Sequence, residues 1–337
     1  MSLYIRKPRT PTLAKALIIE AIGKVYILEP YHPVPIPGPG EVPIRCVAVS
    51  LNPVDWLSKA YNFGITSLPW INGRDASGVI EAVGEDVADC RVGDVVFTLT
   101  DYTKSHAGSY QEFFIATASC VAKIPPRMSF ESAAAVPVAA ITAAIHGVHP
   151  EPLLAKIYGL SVIAIASPEN FEYIKLAGAD VVLDRNNPDE ALHRIREITK
   201  GDLRLAFDAV GPRTARLCAK ALRSGTQRPP LTLVALAGLP RNVEQDAAFD
   251  GISLPTVKVK LFHNEPEYGS SLLKELTAYL TDGRLKPPPI SVLAGGFDAV
   301  NVGLLQLRNG QISGQKLVVR VNETNNDKLS RPDLGWL

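Results

Sequence analysis

Residues 149–167 read His149-Pro150-Glu151-Pro152-Leu153-Leu154-Ala155-Lys156-Ile157-Tyr158-Gly159-Leu160-Ser161-Val162-Ile163-Ala164-Ile165-Ala166-Ser167. Leu153 to Ile157 has the character of a helix end, with Gly159 as its C-cap. Ser161 to Ala166 is a wholly apolar strand. Toward the C-terminus the pattern alternates. Pro168 to Ala177 reads as a helix, Val181 to Leu183 as a strand, and Asp189 to Thr199 as a helix. Leu205 to Phe207 is a strand, Pro212 to Leu222 a helix, and Leu231 to Leu236 an apolar strand. Apolar strands alternating with helices imply a parallel sheet covered on both faces.

Toward the N-terminus the pattern is different. Ser129 is a good helix N-cap, and the run Ala133 to His146 is helical, interrupted at Pro137. Before Pro126 the chain reads as short strands and turns. The strands are Ala16 to Glu20, Lys24 to Leu28, Val42 to Val49, Ser77 to Val83, Val95 to Leu99, Gly108 to Ile115 and Cys120 to Ile124. A proline-rich loop from His32 to Glu41 separates the second from the third. Short strands at this spacing imply an antiparallel barrel or sandwich. Leu272 to Leu280 is a further helix, Lys316 to Val321 a last strand, and the end from Asn322 is polar.

Of 337 residues, 46% are hydrophobic and 20% charged, and the net charge is +1. Such balance argues against nucleic-acid or membrane-surface binding, which draws on a basic surplus. Cys46, Cys90, Cys120 and Cys218 are too scattered for a zinc site or redox dithiol and read as reduced thiols. The first residues lack the pattern of a secretory signal, and the longest apolar run, Ala133 to Ile145, is too short for a bilayer. A cytoplasmic protein is expected.

Three features in order resemble one superfamily. Asn52-Pro53-Val54-Asp55-Trp56 closes an N-terminal strand, and Gly73-Arg74-Asp75-Ala76-Ser77-Gly78-Val79-Ile80-Glu81-Ala82-Val83-Gly84 precedes Val92-Gly93-Asp94-Val95-Val96. Asp282-Gly283-Arg284-Leu285 and Gly314-Gln315-Lys316-Leu317-Val318-Val319 follow near the end. The chain resembles the medium-chain dehydrogenase/reductase superfamily along nearly its whole length. Ser167-Pro168-Glu169-Asn170-Phe171 and Ser313-Gly314-Gln315-Lys316 further resemble the trans-acting enoyl reductases of fungal polyketide clusters. The resemblance implies a GroES-like antiparallel barrel (1–126, completed by 287–322), a Rossmann-type doubly wound parallel sheet (127–286) and a polar tail (323–337). It implies a monomer that uses NADPH to reduce a double bond conjugated to a thioester on a partner polyketide synthase or acyl carrier.

Zinc is not expected. Zinc relatives carry Gly-His-Glu where this chain has Gly73-Arg74-Asp75, and no three-ligand set of Cys and His recurs. His146 and His149 are close, but no Cys or carboxylate cluster lies near them in the sequence.

One family element is missing. Relatives run helix, first strand, glycine-rich turn, helix, second strand. Here the helix to Gly147 leads directly into Pro152–Gly159, the tail of the helix that follows the glycine turn, and then into the second strand. The shortfall is on the order of 25–30 residues against the size of a βαβ unit. No glycine-rich phosphate loop precedes any helix. The expected Rossmann half thus lacks its first strand and its loop, which opens two ladder edges or forces the neighbours together.

The resemblance assigns sites residue by residue. Val54, Asp55, Trp56 and Leu57 match the nicotinamide side, where a strand-to-helix turn is the plainer reading. Leu57 stands where relatives often carry a lysine, and Lys59 lies two residues on; a lysine there polarises a carbonyl or holds a phosphate. Ser167, Pro168, Glu169 and Asn170 match the adenosine-phosphate side, with Arg185 placed to meet a 2′-phosphate and Glu169 running against it. Leu236, Ala237, Ile312 and Ser313 match backbone contacts. Thr142, Ala143, Ala144, Ile145, His146, Gly147, Val148 and His149, with Val257, Lys258, Val259, Lys260 and Leu261, match acyl-pocket walls; for the first group a core helix is the plain alternative. Lys59 and Thr142 are the polar groups nominated beside the hydride. Two other readings stand beside the reductase: a cofactor-free relative (a binding partner, or an isomerase or cyclase reusing the cleft), and a quinone oxidoreductase.

Overall fold

The computed structural model describes residues 11–145, 152–224 and 230–324. In chain order the elements are β1 (Leu13–Ile19), β2 (Ile27–Pro33), β3 (Glu41–Ser50), α1 (Pro53–Tyr61), β4 (Trp70–Ile71), β5 (Asp75–Ile80), β6 (Val95–Leu99), β7 (Phe113–Thr117), β8 (Val121–Lys123), α2 (Phe130–Ala134) and α3 (Pro137–Ala144). There follow α4 (Pro152–Ile157), β9 (Ile163–Ala166), α5 (Phe171–Leu176), β10 (Val181–Asp184), α6 (Pro188–Thr199), β11 (Leu205–Asp208), α7 (Pro212–Leu222), β12 (Leu231–Ala235) and β13 (Ile252–Ser253). The chain ends through α8 (Leu261–Asn264), α9 (Pro266–Thr281), β14 (Ile290–Leu293), α10 (Val300–Arg308) and β15 (Lys316–Arg320). Among the described residues no helix is long and apolar enough to cross a membrane.

Two compact units form. One holds residues 1–139, 260–283 and 287–337, the other 140–259 and 284–286. These boundaries differ from those expected from sequence, chiefly because 260–283 joins the first unit. Phe262 is fully buried there, and its carbonyl accepts from the Cys120 thiol at 3.5 Å. Gly269 on α9 lies against the Phe262 backbone, where a Cβ would meet the carbonyl oxygen at 2.2 Å.

The first unit is built on a mostly antiparallel sheet in the order β14-β15-β3-β5-β6-β8, with β7 also on β3 and only β14–β15 parallel. A smaller sheet runs β2-β1-β4. Alternation along β3 sends Val42, Ile44 and Cys46 into one core with Ile80, Val96 and Phe114. The strand expected over Lys24–Leu28 begins only at Ile27 and runs on into the proline-rich segment. The one expected over Gly108–Ile115 begins at Phe113.

A carboxylate ties this unit together. Asp75, fully buried at the start of β5, accepts from Ser50 Oγ at 3.0 Å, Asn52 Nδ2 at 2.9 Å, the Val138 N–H at 2.7 Å and Lys316 Nζ at 2.5 Å. Buried charge survives only when paired and hydrogen-bonded, and here four segments supply the donors.

A second buried network closes over α1. Asp55 Oδ2 accepts the Asn52 N–H at 2.8 Å, one half of a capping box, and the Tyr110 hydroxyl at 2.8 Å. The Tyr26 hydroxyl donates to the Asp55 carbonyl at 3.0 Å and accepts from Asn72 Nδ2 at 2.7 Å. Gly73 makes room for this: at φ +89 it lies in the left-handed region, and a Cβ would stand 2.4 Å from the Tyr110 ring.

The second unit carries the parallel strands. In α7, Ala215, Ala219 and Leu222 fall on one face and pack on Leu231 and Leu233 of β12. β11, β12 and β13 form one parallel ladder, and β10 and β9 form another. The two ladders are separate: among the described residues β9 bonds only to β10, and β11 only to β12. All four residues of β9 are half-buried although all are apolar. Among the described residues no strand joins the two ladders.

Two expectations follow. Asp75→Asn strips Lys316 of its counter-charge and should lower unfolding stability in urea by about 3 kcal/mol, the low end for a broken buried pair since Lys316 keeps some contact with water. Adding Lys316→Met to that variant should restore much of the loss in a double-mutant cycle. Burial raises the Asp55 carboxyl to about 6, against which Arg74 pulls it down. The folded protein therefore holds this proton more tightly than the unfolded chain, so its contribution is full below about pH 4 and is lost as pH rises through 6. Asp55→Asn should flatten that fall in melting temperature between pH 4 and 6.

Candidate functional site

The first turn of α1 displays Val54, Trp56 and Leu57, all half-buried, while Asp55 turns inward to the tyrosines. The Trp56 indole N–H is buried without a hydrogen-bond partner, and its ring meets the Tyr61 ring edge-on at 6.2 Å. Lys59 does not take the place of a lysine at 57. Two helical residues differ by about 200° round the axis, and Lys59 is 1% exposed with Nζ 5.3 Å from the Tyr26 ring centroid. Burial, helped by the Arg308 charge, brings its amine down to about 8.

Arg74 follows Gly73 at the place of the histidine in Gly-His-Glu. Its guanidinium lies 4.1 Å from the centroid of Tyr102 and the residue is 8% exposed. Its Nε is buried with no hydrogen-bond partner, and among the described residues the guanidinium makes no hydrogen bond or ion pair. The Tyr102 ring also meets His263 edge-on at 6.2 Å. His263 Nε2 lies 3.0 Å from the Thr100 carbonyl, its Nδ1 is buried without a partner, and burial lowers its pKa. The neutral ring thus donates from Nε2 and presents a lone pair at Nδ1. The sequence treated Arg74 only as a missing histidine and passed over Tyr102 and His263. A buried arginine next to a buried aspartate in one motif was the available signal. Among the described residues no group of three His, Cys, Asp or Glu could hold a metal ion.

In the second unit, the chain leaves β9 at Ser167, which is 4% exposed. A 3-10 turn, Pro168–Asn170, leads into α5, and Asn170 Nδ2 donates to Ser167 Oγ at 3.2 Å. The Glu169 carboxyl is held below its usual range by its own backbone N–H and the Ser167 hydroxyl, with Arg185 adding attraction. Arg185 is exposed, its N–H bonded to the Ala166 carbonyl at 2.9 Å, so the strand end gathers Ser167, Glu169, Asn170 and Arg185. Leu236 and Ala237 lie exposed just past β12, with the Leu236 N–H on the Asp208 carbonyl at 2.8 Å. In the first unit, Ile312 is half-buried and Ser313 exposed, in the loop before β15.

Of the acyl-wall residues, Ala143, Ala144 and Ile145 are buried, as a core helix would have them, and Thr142 is half-buried. His146, Gly147, Val148 and His149 lie outside the described residues. Val257, Val259 and Leu261 are half-buried, and Lys258 and Lys260 are exposed.

The residues fit a dinucleotide in part. Ser167, Asn170 and Arg185 suit the adenosine-phosphate end. Among the described residues no glycine-rich turn of the kind that cradles a pyrophosphate joins a strand to a helix.

Known proteins resemble the chain along both units. The family described as alcohol dehydrogenase GroES-like domain matches residues 38–126, and that described as zinc-binding dehydrogenase matches 153–242. The trans-enoyl reductase ACTTS2 of Alternaria alternata is 29% identical across 91% of this chain and 99% of its own. That alignment spans 346 positions, more than the 337 residues here, so parts of the relative have no counterpart. The trans-enoyl reductase buaC of Petromyces alliaceus is 30% identical across 86% of this chain and 93% of its own. Among solved structures, a quinone oxidoreductase of Pseudomonas syringae pv. Tomato superposes with a TM-score of 0.75 at 23% identity, across 91% of this chain and 100% of that one. The CurK enoyl reductase does so with a TM-score of 0.75 at 22%, across 91% of this chain and 98% of its own. A GroES-like unit beside a Rossmann-like sheet, with relatives matched over nearly their whole length, places the chain in the medium-chain dehydrogenase/reductase superfamily, and there it belongs with the fungal trans-enoyl reductases.

Proposed function

We propose that this chain acts in trans as an enoyl reductase, saturating an α,β-unsaturated thioester carried by a partner polyketide synthase. The observation that carries the reading is the likeness to trans-enoyl reductases over 85–93% of the chain, together with the Ser167–Asn170 turn at the end of β9. NADPH, when bound, supplies the hydride. The chain's own groups do the rest: Ser167, Asn170 and Arg185 hold the 2′-phosphate end, and the Val54–Leu57 turn meets the nicotinamide side. Thr142 is the polar group on the acyl helix. Lys59, buried under Tyr26, serves the packing of α1 rather than the reaction.

One observation favours a second reading. Among the described residues β9 and β11 each pair on one side only, and no glycine-rich turn joins a strand to a helix. A relative that binds the acyl thioester without cofactor would have that structure.

One titration decides between them. Purified protein is titrated with NADPH, following nicotinamide fluorescence and melting temperature. The reductase reading expects saturable binding, and Arg185→Ala should weaken NADPH about tenfold, the equivalent of ~1.4 kcal/mol, with NADH unchanged. No binding at millimolar NADPH sinks the reductase; binding of crotonyl-pantetheine under the same conditions then supports the cofactor-free reading.

A further inference from the structure

Buried arginines are ordinarily matched by carboxylates or carbonyls, because an uncompensated buried charge is destabilising. Arg74 is matched by neither. The guanidinium has five N–H donors in a fixed plane. Its Cζ lies over the Tyr102 ring, 4.1 Å from the centroid, with Nε buried and unbonded, and no acceptor among the described residues bonds to it. The nearby acids do not fill that role. Asp55 spends Oδ2 on Asn52 and Tyr110 and leaves Oδ1 buried without a partner, while Asp75 is taken up by Ser50, Asn52, Val138 and Lys316. Both attract Arg74 through space without touching it.

The guanidinium lies close to an exposed turn. A side-chain carbon on Gly64 would stand 3.9 Å from Arg74 Nη2, and Gly64 is itself exposed at φ +78. The adjoining Phe63 is 59% exposed and Tyr61 66% exposed. A cation with unmatched, forked donors therefore lies next to an exposed glycine that follows the exposed Phe63.

We propose that Arg74, laid on the Tyr102 ring beneath Gly64, is a binding site for the oxyanion head of an acyl ligand, either a carboxylate or the enolate oxygen of a thioester. The fork offers two parallel N–H donors to two oxygens, or both to one. The aromatic loop side chains suit the first carbons of the chain. The Tyr102 ring backs the guanidinium, and His263 packs on Tyr102 edge-to-face. The carboxylate arm stands without the reductase reading. The enolate arm rests on it, since only reduction produces that charge.

The test uses hexanoate, its neutral counterpart hexanamide, and hexanoyl-pantetheine, each titrated into the full chain without cofactor by calorimetry and melting temperature. Hexanoate should bind and raise the melting temperature, and hexanamide should bind at least tenfold more weakly. Arg74→Met should abolish the hexanoate response, and Arg74→Lys, which keeps charge but not the fork, should weaken it several-fold. Should Arg74→Met not fold, Tyr102→Leu takes its place; it leaves the charge and removes the platform, and weaker hexanoate binding is expected. Equal binding of hexanoate and hexanamide, or unchanged binding in these variants, overturns the proposal. So does failure of both hexanoate and hexanoyl-pantetheine to bind. A failure to bind NADPH removes the reductase and leaves the hexanoate result as it stands.

Discussion

Four segments of the first unit meet at the Asp75 carboxylate. It draws in the end of β3, the residue that caps α1, the first turn of α3 and the head of β15, which lies 241 residues away. Each of those donors is polar, and each would be unfavourable in the interior without it. Asn52 is the joint between the two buried networks, since its side chain serves Asp75 and its N–H serves Asp55. Through that joint the orientation of α1, and so of Trp56 and Leu57, is set by a residue on β5. Arg74 precedes Asp75 in the chain, so the same bonds fix its backbone.

Legibility in the sequence followed the range of the interaction. β6 was read to the residue, because Val95 to Leu99 is apolar and bounded by a Gly-Asp turn; α7 was too, because Pro212 opens it and small residues recur on one face. β2 was displaced because Tyr26, apolar in pattern, is pulled off the ladder by bonds to Asn301 and Asp55 from distant segments. Val54–Leu57 can be read as a site or as plain local structure, and it forms the first turns of a helix capped by Asn52 with Pro53 at its first position. Lys59 was nominated by linear nearness to 57, which a helix does not respect. Tyr102 and His263 were invisible because 161 residues separate them; bonds of His263 to Thr100 and of Phe262 to Cys120 hold that segment by the ring.

The described strands of the second unit fall into two ladders, each with its own helices. In one α7 packs on β12, and in the other the Ser167 turn is hydrogen-bonded. Each ladder is internally complete: parallel pairs bond residue by residue, and helices need only the strands beneath them. The side chains of β9 register the difference. Their composition is that of a central strand, and their exposure is that of a border.

That border has a consequence for handling the protein. Ile163-Ala164-Ile165-Ala166 has no charge and no proline, the devices by which outermost strands discourage strangers from docking. Along the side of β9 that no described residue pairs, an incoming extended segment would meet neither deterrent.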